Sequence, residues 1–108
     1  MSHEQFQECI EECLSCMKVC NHCFNACFGE DDVKMMADCI RLDRECADIW
    51  LYCGCHVKKQ PFCSRDLQPL AQICEACGNE CKKHDHNHCQ KCAEACLRCA
   101  EVCRKMVS

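Results

Sequence analysis

The chain has little with which to make loops: three glycines and two prolines in 108 residues. With so few breakers, helices are expected throughout. Long apolar runs are also missing. No stretch of about 18 apolar residues occurs, so no membrane-spanning helix is expected. The first residues, MSHEQFQECIEEC, are acidic and lack the basic and apolar regions of a secretion signal. A cytoplasmic location is the expectation. A basic surplus is absent too: the formal charge is -4, aromatics make up 6%, and no basic stripe with interleaved aromatics occurs. That excludes nucleic acid as a partner and leaves the charge to serve solubility. No Ser/His/Asp arrangement, phosphate loop or pair of catalytic carboxylates stands out, so no enzyme is expected.

What the chain has is sulfur. Nineteen of its 108 residues are cysteine, about twice the level at which a disulfide scaffold becomes the usual inference for a secreted protein. Disulfides fit poorly here: the number is odd, no export signal is present, and the spacing follows helical turns. Cys9, Cys13, Cys16, Cys20, Cys23 and Cys27 are separated alternately by four and three residues. That alternation is the inward seam of a bundle helix, where leucine, isoleucine or valine normally sit. Ile10, Leu14, Met17, Phe24 and Phe28 form a second apolar row beside it.

The pattern recurs down the chain. Helix 1 is expected to start between Ser2 and Gln5 and to stop at Gly29. Helix 2 follows from about Asp32 to Cys55, with the seam Met35, Cys39, Leu42, Cys46, Ile49, Cys53 and His56 and a second row of Met36, Ile40, Ala47 and Trp50. A linker is expected at 58–62, where Pro61 breaks the helix. Helix 3 begins near Ser64 or Asp66, which keeps Pro69 in its first turn. Its seam reads Cys63, Leu67, Leu70, Cys74, Cys77, Cys81, His84 and His88, and helix 4 continues with Cys89, Cys92, Cys96, Cys99, Cys103 and Met106. Short connections between four consecutive helices predict a single all-α domain over 1–108, an antiparallel up-down-up-down four-helix bundle with a cysteine-lined core. In that topology Met35, Met36, His84, His86 and His88 gather near Cys27 and Cys89 at one end. Cys9, Cys53, Cys55, His56, Cys63, Cys103 and Met106 gather at the other.

A thiol fills less space than leucine, so each seam cysteine forgoes burial energy on the order of 1 kcal/mol. Repeated along four helices, that loss calls for a reason beyond packing. Neighbouring helical turns set Cβ atoms roughly 5–6 Å apart, and a metal held between two sulfurs spans ~4–5 Å. Each C-x3-C pair (Cys9/Cys13, Cys16/Cys20, Cys23/Cys27, Cys77/Cys81, Cys92/Cys96, Cys99/Cys103) can therefore hold one linearly coordinated ion. Thiolates select Cu(I), zinc or iron–sulfur clusters. Zinc wants closed groups of four, an arrangement that an evenly spaced row does not supply, and the ferredoxin-type C-x2-C-x2-C-x3-C-P run is absent. Copper(I) suits the column best. Each Cu(I) replaces one thiol proton, so the filled core nears neutrality at roughly 10 to 20 ions per chain.

His3 and His22 read as surface residues. His84, His88, Met35 and Met36 are candidate weak ligands of a loading port, with His86, His56 and Met106 unassigned. Two rival readings are a zinc- or cadmium-sequestering bundle and a thiol redox buffer; the second needs an exposed low-pKa thiol, whereas the seam predicts buried ones.

The C-x3-C pairs, together with the run HNHCQKCAEACLRCAEVC, resemble the bacterial four-helix-bundle copper storage proteins over nearly the whole length. The resemblance implies a homotetramer and Cu(I) ions along the core mostly held by two thiolates each; a copper chaperone or small-thiol donor is a candidate partner. It also implies the cytosolic branch of the family, which lacks a twin-arginine signal. Leu42, Ile49, Leu67 and Leu70 interrupt the cysteine pattern, and copper positions beside them are the least transferable.

Overall fold

A computed structural model describes the backbone of residues 3–57 and 63–107 and the side chains of residues 7–48 and 69–105. Expectations for the 58–62 linker, and for the side chains of Ile49, Trp50, Cys53, Cys55, His56, Cys63, Leu67 and Met106, lie outside the described residues. Four helices account for almost all of the rest: α1 (His3–Cys27), α2 (Ala37–Val57), α3 (Cys63–Cys81) and α4 (Asn87–Val107). No strand occurs among the described residues.

α1 packs against α2 and α4, and α3 packs against the same two, so the helices close a ring around one axis. Sulfur pairings give the directions. Cys23 meets Cys89 while Cys13 meets Cys103, and Cys39 meets Cys81 while Cys46 meets Cys74. Neighbours therefore run antiparallel, as the short connections predict. The bundle measures 45 × 19 × 18 Å. A 25-residue helix such as α1 is about 37 Å long, so the interior is one helix deep from end to end.

Local chemistry departs from the sequence expectation at four places. α2 is preceded by a 3-10 turn, Val33–Met36, in which the Met35 amide donates to the Asp32 carbonyl at 2.9 Å. A 3-10 turn takes three residues where an α-helix takes 3.6, so the inward position lies three residues before Cys39 instead of four. Met36 is consequently fully buried and Met35 is 77% exposed. Further along α2, the seam passes through Asp43, which is fully buried, while Leu42 lies half-buried on its flank. Steps of three then four from Cys39 to Cys46 select Leu42; steps of four then three select Asp43, and the helix takes the latter.

Pro69 lies inside α3, beyond its first turn. Its missing N–H forfeits one backbone bond, which burial of Leu70, Ala71, Cys74 and Cys77 just after it offsets. α3 then stops at Cys81, because Lys82 to Asp85 offers no residue to bury. His84 and His88 thus do not extend the α3 seam; His88 stands in the first turn of α4.

α3 and α4 approach closely at Gly78. A Cβ there would lie 2.7 Å from Leu97 Cγ and 3.3 Å from the Ala93 carbonyl oxygen. Gly78→Val is expected to push α3 from α4 and cost about 1–3 kcal/mol, against a small gain in helix propensity. Urea denaturation of the reduced, metal-free protein measures it.

Candidate metal centre

Sixteen cysteines have described side chains: Cys9, Cys13, Cys16, Cys20, Cys23, Cys27, Cys39, Cys46, Cys74, Cys77, Cys81, Cys89, Cys92, Cys96, Cys99 and Cys103. All are buried and none is in a disulfide. Their sulfurs form a column. At the end holding the α1–α2 and α3–α4 connections, Cys23, Cys27, Cys39 and Cys89 converge, each sulfur within 4.8 Å of the others. The same criterion joins Cys23, Cys81 and Cys92 to the Asp43 carboxylate, then Cys20, Cys77, Cys92 and Cys96, then Cys16, Cys20, Cys46 and Cys96. Cys9, Cys13 and Cys103 close the series near the start of α1. Cys20, Cys23, Cys92 and Cys96 each belong to two groups, and Cys99 bonds both to Cys13 and Cys103 and to Cys16, so the column is continuous. Groups of four do exist, contrary to the sequence expectation. The groups of four sulfurs each draw on three helices, and the group with Asp43 on all four, so spacing along a single helix does not reveal them.

Within one helix, sulfurs a turn apart lie at 3.9 Å (Cys9/Cys13), 4.0 Å (Cys16/Cys20), 3.8 Å (Cys23/Cys27) and 3.9 Å (Cys92/Cys96). Between helices, Cys20/Cys96 and Cys39/Cys81 approach to 3.4 Å. A metal–sulfur bond of about 2.3 Å separates two sulfurs by about 4.6 Å around a linear ion, about 4.0 Å around a trigonal one and about 3.8 Å around a tetrahedral one. The column is already spaced for three- or four-coordinate soft ions. A linear pair needs it to open by about 0.6 to 0.8 Å between turns of one helix, and by about 1.2 Å at the closest contacts between helices.

Burial, then the nearby Cys39 charge, pushes the Cys27 thiol up to about 12, and burial likewise raises Cys89. Deeper in, bonds between thiols dominate, raising Cys20, Cys74 and Cys96 while lowering Cys16 and Cys77. Most of the metal-free column therefore holds its protons, as the cost of burying thiolate charge requires.

Asp43 is the residue that sequence reasoning missed. Its Oδ1 accepts from the thiols of Cys77 (3.2 Å), Cys92 (3.3 Å) and Cys81 (3.4 Å), and its Oδ2 from Cys39 at 3.8 Å. Burial first, and then charge on Cys92 and Cys77, pushes its carboxyl up to about 10. A signal existed: Asp43 stands four residues after Cys39 and three before Cys46, the same rhythm as the cysteines.

The candidate weak ligands divide. His88 turns Nδ1 toward Cys23 Sγ at 3.4 Å and Cys89 Sγ at 3.5 Å, so it stands at the mouth of the column. Met36 joins the buried core. His84 is instead held by Glu80, at 2.9 Å, and Met35 faces solvent, so neither is aimed into the column. Cys53, Cys55 and Cys63 lie outside the described side chains.

The profile of the copper storage protein family matches residues 2–108. The chain belongs to that family. A cysteine-rich protein of Bacillus subtilis is 54% identical over 110 residues, covering 97% of this chain and 99% of its own. The Cu(I)-bound copper storage protein BsCsp3 shares 50% identity with a TM-score of 0.91, covering 96% of this chain and 99% of that one. A cytosolic copper storage protein of Streptomyces lividans, solved with five coppers, is 37% identical with a TM-score of 0.92, covering 96% of this chain and 92% of that one. The all-α bundle with its cysteine core is thus the family's architecture as well as this chain's.

Proposed function

We propose that this chain is a high-capacity store for Cu(I), held by the thiolates of its core, with no catalytic activity. The observation that carries the reading is the column of sixteen buried thiols in a member of the copper storage family. Cys53, Cys55 and Cys63 complete the ligand set in the proposal. The likeness to a cytosolic relative that takes up copper supports a cytosolic location. Ions enter at the His88 end, with Met36 just inside, and a capacity of roughly 10 to 20 Cu(I) per chain follows from one ion per thiolate proton. The chain works as one domain and assembles as a homotetramer; Leu14 and Phe28, 52% and 58% exposed on or just beyond α1, are suited to subunit contact.

Sulfur groups of four also suit tetrahedral zinc, which is the second reading. One experiment decides. Anaerobic titration of the reduced protein with Cu(I) against a competing chelator is expected to saturate between about 10 and 20 ions per chain, with displacement of preloaded zinc from the core thiols. Saturation after one or two ions, or zinc that keeps the core thiols against Cu(I), overturns the copper reading.

A further inference from the structure

Outside the thiol column, the same end of the bundle carries a second donor cluster built from different chemistry. Glu30 Oε2 lies 2.6 Å from His88 Nε2 and 3.2 Å from His86 Nδ1. The two imidazoles are parallel, 2° apart in plane with centroids 5.5 Å apart, so they present nitrogens to one carboxylate oxygen. The remaining nitrogen of His86 faces Asp32 Oδ1 at 2.9 Å. Both ring nitrogens of His86 therefore meet carboxylate oxygens, whereas a neutral imidazole has one N–H to give. Negative charge from Glu30, Asp32 and Asp85 acts together on this ring. All three side chains are partly buried, with His88 13%, Glu30 27% and His86 29% exposed, so they are held and not swept by solvent.

From this geometry we propose a divalent-cation site, suited to Zn2+, formed by Glu30 Oε2, His86 Nδ1 and His88 Nε2 with water as fourth ligand. Two imidazoles and one carboxylate are the donor set of an open zinc site. The carboxylate disfavours soft Cu(I) and favours a harder, doubly charged ion. Around tetrahedral zinc, with bonds of about 2.1 Å, neighbouring donors stand about 3.4 Å apart. The present separations of 2.6 and 3.2 Å from Glu30 Oε2 to the two imidazoles lie about 0.8 and 0.2 Å short of that spacing. An ion here ties the α1–α2 connection, which holds Glu30, to the start of α4. It also occupies the outer nitrogen of the histidine whose inner nitrogen faces Cys23 and Cys89. The zinc site is thus a clasp over the mouth of the copper column, chemically distinct from the column itself.

The test uses protein whose thiols are already filled with Cu(I), followed by dialysis against Zn2+ and, in parallel, Co2+ as an optical probe. One Zn2+ retained per chain is expected, with a Co2+ visible spectrum of a four-coordinate nitrogen and oxygen site lacking thiolate charge-transfer bands. Glu30→Gln and His86→Asn are each expected to weaken zinc binding at least tenfold, while Asp31→Asn, an exposed acid of the same connection, leaves it unchanged. Absence of retained zinc, equal loss in Asp31→Asn, or retention unaltered by Glu30→Gln and His86→Asn overturns the proposal. The copper content of the same samples reports separately on the storage reading.

Discussion

Replacing Cys16, Cys20 and Cys96 together by serine is expected to remove about three to six Cu(I) from the capacity of each chain, since hydroxyls are poor ligands for a soft ion. These three sulfurs sit at mid-column. Cys16 contacts Cys20, Cys46, Cys74 and Cys96 at 3.6 to 4.0 Å, and Cys96 reaches Cys20 at 3.4 Å. Losing three bridging thiolates removes their own share of the charge balance and severs the upper groups from the lower. Anaerobic titration with elemental analysis reads the loss. A triple variant that binds as many ions as the parent shows that mid-column sulfurs are not ligands. Serine is close in volume to cysteine, so a folded variant is expected, and circular dichroism checks it.

Asp43→Asn is expected to make the metal-free, reduced protein more stable at pH 8, by an amount that grows with pH. The folded-state carboxyl titrates near 10, raised from an ordinary 3.8. Between those values the folded chain keeps a proton that the unfolded chain has released. Stability from this group is complete below about pH 4 and falls by about 1.4 kcal/mol per pH unit as pH rises toward 10. Asparagine is isosteric: its Oδ1 still accepts from Cys77, Cys81 and Cys92, and its amide faces Cys39. It has no proton to lose. The difference between parent and variant unfolding free energies, followed by urea denaturation from pH 5 to 9, isolates this group from the thiols common to both. A difference that is flat in pH sinks the assignment of a neutral buried acid.

The seams of α1 and α4 were legible because cysteine occupies every inward position, leaving one phase for each helix. α2 was not, since Leu42 and Asp43 both satisfy a three-four rhythm between Cys39 and Cys46. Hydropathy favours Leu42, yet the packed helix buries the acid, because four thiols are at hand to bond it. Met35 and Met36 were exchanged by a single 3-10 turn, which local propensity does not announce. Pro69 broke a reliable local rule because burial of its α3 neighbours outweighs one backbone bond. The grouping of sulfurs into fours is a property of three helices seen in cross-section. No reading along one helix contains it.

In the metal-free chain the sulfurs already stand 3.4 to 4.0 Å apart, close to the spacing around a three- or four-coordinate ion. A three- or four-coordinate ion fits such a lattice with little movement of its sulfurs, whereas each two-coordinate ion has to push its pair apart. The sulfur spacing thereby favours ions shared among three or more thiolates, so a competing ligand in solution has to break several bonds to remove each one.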